Sequence, residues 1–137
     1  MESRAQAEVE ALHQFFEDWF GGRLPDDAAA FARLPATLAP GFQLISPEGR
    51  VLERQALLDG LRAAHGVEAA SDLAIAVLPG GVRPLGGGLW LVTYQEWHRR
   101  GDESRGRQSS AVLEEHGAAP GGFVWRHVHE TWLPVPS

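Results

Sequence analysis

Three long runs of strand-type residues close this chain, at 89–99, 107–115 and 123–133. The first and last are rich in β-branched, aromatic and large aliphatic side chains. The linkers between them, 101–106 and 117–122, are short and carry glycine. Loops of this length return a strand beside its predecessor, so the pattern predicts an antiparallel meander. Two shorter strands precede it, at 73–78 and 82–85, on either side of a Pro79-Gly80-Gly81 break; Gly86 to Gly88 turns into the first long run.

The N-terminal half reads differently. Over 4–20, Val9, Leu12, Phe16, Trp19 and Phe20 fall near helical spacing, and Gly21-Gly22 stops the helix. Asp26 or Asp27 suits the cap of a second, short helix over 28–34. A short strand is expected at 42–46, a turn at Ser46-Pro47-Glu48-Gly49 and a return at Val51 and Leu52. A third helix over 53–65 turns Leu57, Leu58, Leu61 and Ala64 inward and ends at Gly66. Gly60 weakens that helix by up to ~1 kcal/mol relative to Ala, which hints at close packing there. Helices first and a meander afterwards is an α+β pattern. A length of 137 residues fits one domain, 1–137.

Composition excludes several chemistries. With no cysteine there is no disulfide, thiolate metal site or cysteine nucleophile. All 12 basic residues are Arg, so there is no Schiff-base lysine. A formal charge of −6 argues against general nucleic-acid binding. No apolar run approaches the ~18 residues of a membrane span, and no secretory leader is seen. The expected location is the cytoplasm. No Gly-rich phosphate loop is present: residues 80–88 lack the required Lys.

The last strand carries the candidate chemistry. Alternation puts Trp125, His127, His129, Thr131 and Leu133 on one face, and Val124, Arg126, Val128, Glu130 and Trp132 on the other. His127 and His129 can be half-buried structural residues or acid–base groups. They could also be two ligands of a metal site, which needs at least a third, and no metal is expected.

The element order resembles that of the nuclear transport factor 2-like superfamily, which includes SnoaL-like polyketide cyclases, ketosteroid isomerases and the association domain of calmodulin-dependent kinase. The likeness is best in F-Q-L-I-S-P-E-G-R-V-L-E-R-Q-A-L-L (42–58) and W-R-H-V-H-E-T-W-L-P (125–134). The second resembles the W-x-x-V-H strand of the kinase association domain, and the whole chain most resembles bacterial members of unassigned function. The resemblance implies a cone: a curved antiparallel sheet packed against three N-terminal helices, a pocket inside, and a convex face that makes a dimer. The ketosteroid isomerase site does not carry over, because none of the six aspartates lies inside a long strand.

If the loops span 101–105 and 117–121 without a bulge, Trp97 faces Ser109, Gln95 faces Ala111, Ala111 faces His127 and Ser109 faces His129. One sheet face then gathers Gln95, Trp97, Ser109, Trp125, His127, His129 and Thr131, which we assign to the pocket together with Trp19 of the first helix. The other gathers Tyr94, Glu96, Arg126, Glu130 and Trp132, which we assign to a homodimer interface. Three functions remain open. The first is a homodimeric domain binding a small apolar or aromatic ligand, without a cofactor. The second is a lyase, isomerase or cyclase acting on a small hydrophobic carbonyl compound, with His127 or His129 as acid or base and Gln95 or Ser109 bonding an oxyanion. The third is a non-catalytic oligomerisation module.

Overall fold

A computed structural model describes residues 2–135. The elements in chain order are α1 (Glu2–Phe20), α2 (Ala28–Phe31), β1 (Leu38–Ile45), β2 (Val51–Glu53), α3 (Arg54–Ala63), β3 (Ala74–Gly86), β4 (Leu89–Arg100), β5 (Glu103–Glu115) and β6 (Phe123–Trp132). The six strands form one curved, unclosed sheet in the order β2-β1-β6-β5-β4-β3. The expected meander is its β3–β6 half. β1 then joins β6 in parallel, which brings the N-terminal half of the chain onto the last strand.

α1 covers one face of the sheet, which we call the inner face. Its apolar stripe of Ala5, Val9, Leu12, Phe15 and Trp19 is buried. From the sheet come Val92 and Tyr94, Ala111 and Leu113, and Phe123, Trp125 and Val128. Asp27 caps α2 by accepting from the Ala30 amide at 2.8 Å. That helix is shorter than expected; turns carry the chain from there to β1.

Local chemistry explains where the strands depart from expectation. β3 runs unbroken through Pro79-Gly80-Gly81, with a register shift there. It is an edge strand, so its prolines leave no ladder bond unmade on the open side. A Cβ on Gly80 would lie 2.5 Å from the Thr93 carbonyl oxygen, so the bulge needs glycine. The polar stretch 101–106 is mostly strand: β4 and β5 stay paired out to Arg100 and Glu103, and only Gly101 and Asp102 turn. Gly101 takes φ +60°, as so tight a turn favours.

One buried carboxylate ties the layers together. Glu8 of α1 accepts from Arg33 Nη2 at 2.8 Å, Arg33 Nη1 at 3.3 Å, Thr37 Oγ1 at 3.1 Å and Trp125 Nε1 at 2.9 Å. The loop before β6 closes over it, and a Cβ on Gly121 would sit 1.9 Å from Glu8 Oε1. Gly60 is the opposite case. It is exposed and a Cβ there meets nothing within 4 Å, so the close packing expected at this position is not found. Gly121→Ala is therefore expected to lower stability by about 1–3 kcal/mol through overpacking. Gly60→Ala should raise it by up to about 1 kcal/mol. Urea unfolding of the two variants reads both signs; equal effects would remove this account of the two glycines.

Candidate functional site

Strand register decides which side chains meet inside. Across β4 and β5, Trp97 pairs with Gly106 and Tyr94 with Ser109. The expected pairing placed Trp97 opposite Ser109, three residues away. Because side chains alternate with period two, an odd slip exchanges the faces. Across β5 and β6, Ser109 pairs with Glu130 and Ala111 with Val128, one residue from expectation. The cause is a bulge at Arg126: Val112 pairs with His127 and Leu113 with Trp125. Trp125 and Val128 therefore both point inward, three residues apart.

The inner face, α1 and the β1–β2 turn enclose a hollow of about 280 Å³. Its apolar wall includes Leu12, Phe16, Phe42, Leu44, Trp125 and Val128, and its polar floor is His13, Tyr94, Glu96, His98, Arg107 and Glu130. His13 Nδ1 lies 2.7 Å from the Val9 carbonyl oxygen, and Nε2 lies 3.0 Å from Glu96 Oε1. Both ring nitrogens thus face acceptors, an arrangement only the imidazolium satisfies in full. His98 Nε2 meets Glu96 Oε2 at 2.5 Å. Arg107 bridges the two carboxylates, with Nη2 3.4 Å from Glu96 and Nη1 3.3 Å from Glu130.

Burial and pairing act on these groups in opposite senses. Burial works against a charged His13, yet the Glu96 carboxylate beside it wins and raises the imidazole above its ordinary value. Burial likewise opposes an ionised Glu96, but His13, His98 and Arg107 hold it well below the carboxylate range. Glu130 receives only a shared arginine. Burial pushes it up to about 7, against the pull of Arg107 and with the help of repulsion from Glu96. Burial also drives the Tyr94 phenol well above its ordinary value, so it stays a neutral hydroxyl. The floor therefore holds a charged His13–Glu96 pair beside a carboxyl that exchanges its proton near neutrality. A group of that kind can take a proton from a bound molecule or return one.

The family model that matches this chain is "Sucrose-6-phosphate phosphohydrolase C-terminal", over residues 5–134. The chain belongs to that family. Sucrose-phosphatase 1 of Nicotiana tabacum is 28% identical over 130 residues, 92% of this chain and 30% of that protein. Probable sucrose-phosphatase 2 of Arabidopsis thaliana is 29% identical over 128 residues, 91% of this chain and 29% of that protein. The chain thus spans under a third of the length of these curated relatives. Among solved structures, an NTF-2-like protein of unknown function from Pseudomonas aeruginosa superposes with a TM-score of 0.80 at 27% identity, covering 96% of this chain and 99% of that one. The S. rosetta CaMKII hub gives 0.72 at 13% identity, covering 96% of each chain. The C. elegans CaMKII association domain gives 0.64 at 18%, covering 95% and 97%. The nuclear transport factor 2-like fold is thereby shown. The matching family model is the phosphohydrolase C-terminal one and not that of the SnoaL-like cyclases.

Within this member of the phosphohydrolase C-terminal family, the residues expected at the site separate. Trp125 lines the hollow. Ser109 is on the inner face, fully buried, directly across from Tyr94. Trp19 is core: it stacks on Phe15 and donates to the Leu61 carbonyl at 2.7 Å, joining α1 to α3. His127, His129, Gln95, Trp97 and Thr131 stand on the outer face, because the two odd slips carried them there. Conversely Tyr94, Glu96 and Glu130, expected at a dimer interface, are buried inside, and Trp132 lines the hollow. Arg126 alone of that set stays outward, paired with Glu114 at 2.9 Å.

Sequence reasoning missed His13. Its signal was present: it shares the helix face of Val9, Phe16 and Phe20, a titratable group in an apolar stripe.

Glu130 supplies a pH test. Its carboxyl is protonated more readily in the folded chain than at the ordinary 4.5. Its contribution to stability is thus fully present below pH 4.5 and is lost as pH rises through about 7. That gap corresponds to on the order of 3 kcal/mol. Glu130→Gln should therefore gain stability relative to the parent between pH 5 and pH 8, measured by urea unfolding at each pH. A difference that does not change with pH would refute the assignment.

Proposed function

We propose that this chain is a small-molecule-binding domain whose site is the inner hollow. The observation that carries this reading is the pairing of an apolar wall with convergent polar groups that are buried and already hydrogen-bonded to one another. Ligand sites combine these two features, and about 280 Å³ lies close to the lower end of their usual range. A cavity of about 150 Å³ holds benzene, so the hollow has room for a compound of one or two rings. The reading needs no catalysis. Should proton transfer occur in the hollow, Glu130 is the group for it. The role first given to His127 or His129 lacks access from the outer face.

A second reading has its own support. The likeness to kinase hub and association domains favours an oligomerisation module. The outer face suits a second copy of this chain, because around β4–β6 it presents Gln95, Trp97, Gln108, His127, His129 and Thr131, and its Glu114 is already paired with Arg126. The two readings are compatible, since they use opposite faces of one sheet. The activity of the longer sucrose-phosphatases is not carried over to this chain, which matches under a third of their length.

A panel of single-ring acids, amides and ketones should contain compounds that raise the melting temperature. Saturation at one hundred times Kd adds about 2.7 kcal/mol. Filling the hollow with Leu44→Trp should abolish the effect while the fold persists by circular dichroism. A panel with no stabilising member, or one that stabilises the filled variant equally, would sink the proposal. For the outer face, light scattering should show a dimer that Trp97→Glu converts to monomer; a monomeric parent would remove the second reading.

A further inference from the structure

The chain is acidic, with a formal charge of −6, yet one end of its inner face is cationic. Where β4 turns into β5, Arg100, Arg105, Arg107 and His98 line a recess of about 400 Å³. This recess opens beside the hollow and shares five walls with it: Phe20, Leu61, His98, Arg107 and Trp132. It is thus the mouth of the same site.

The charges in the mouth are not balanced. Its one lining carboxylate is Glu68, which accepts from Arg100 Nε at 2.7 Å and Nη2 at 2.9 Å, and from Ser71 at 2.6 Å. That pair neutralises itself. Arg107 reaches the floor carboxylates at 3.3 and 3.4 Å. Arg105 has no carboxylate within 4.0 Å among the described residues. Its guanidinium lies 3.9 Å from the centre of the Trp132 ring, with that of Arg107 at 5.5 Å from the same ring. Stacking holds a guanidinium by its face and leaves the N–H edge to bond an anion in bidentate fashion. Trp132 is itself fixed, donating to Glu48 at 2.7 Å.

We propose that this mouth is an anion subsite, in which Arg105 and Arg107 over Trp132 take the carboxylate or phosphate head of a ligand whose apolar body lies in the hollow. The proposal rests on the reading of the hollow as a binding site, and it adds the class of ligand.

The test uses matched probes on the full chain: 3-phenylpropanoate, phenyl phosphate, the neutral 3-phenylpropanamide and inorganic phosphate. NMR follows the methyls of Leu12 and Leu44 for the hollow and the arginine Nε–H groups for the mouth. At low salt one or both anionic aromatics should bind at least about tenfold more tightly than the amide, the effect of a charge-assisted bond. Which of the two is tighter distinguishes a carboxylate from a phosphate ligand. Arg105→Gln should remove most of the advantage of the anionic probes over the amide; Arg105 is exposed, so the fold tolerates the change. Amide and acid binding equally well would overturn the mouth and leave the hollow reading standing. No shift of the hollow methyls by any aromatic probe would overturn both. Inorganic phosphate binding as tightly as phenyl phosphate would overturn the link between mouth and hollow.

Discussion

Four donors converge on the carboxylate of Glu8, and the placement of α1 depends on them. Arg33 and Thr37 come from the segment leading into β1, and Trp125 from β6. A carboxylate with no exposed side-chain surface is costly unless its lone pairs are filled, and here they are. Five residues further along the same helix, His13 is clamped to Glu96 of β4. Two polar clamps thus hold one helix to two strands of the sheet. Around and beyond His13 the apolar stripe of α1 stops short of filling the space over the sheet, and the hollow remains beside Leu12, Phe16 and Phe20.

The electrostatics of that hollow follow from an uneven supply of partners. Glu96 is bonded or paired to His13, His98 and Arg107; Glu130 has a share of Arg107 alone. Similar carboxyls on β4 and β6, one strand apart across β5, therefore behave differently, one fixed as an anion and one able to switch near neutral pH. The outer face of the same sheet carries neither clamp; there His127 is half-buried and His129 exposed.

Much of the fold was legible in the sequence. The amphipathic period of 4–20, the Pro-Gly turn at 46–49 and the three closing strand runs give the α+β order directly. The family likeness through 125–134 pointed to the same cone. The site was far less legible, because its membership depends on parity. Both Gly101 and Gly106 can start or end a turn, and the short hairpin was chosen by pairing that continues to Arg100 and Glu103. Nothing in W-R-H-V-H marks the bulge at Arg126, which involves neither glycine nor proline. One hidden residue of slip put the wrong alternate set inside. The informative local signal was a charge in a buried row: Glu96 beyond Val92 and Tyr94, Glu130 beyond Val128, and His13 between Val9 and Phe16.

His13, not His127 or His129, belongs to the interior. Carbethoxylation of the folded protein, read residue by residue by mass spectrometry, tests it directly. The exposed His129 should be modified rapidly, and His13, which is 4% exposed and held at both ring nitrogens, not at all until the chain is unfolded. Modification of His13 as fast as His129 in the folded state would contradict it.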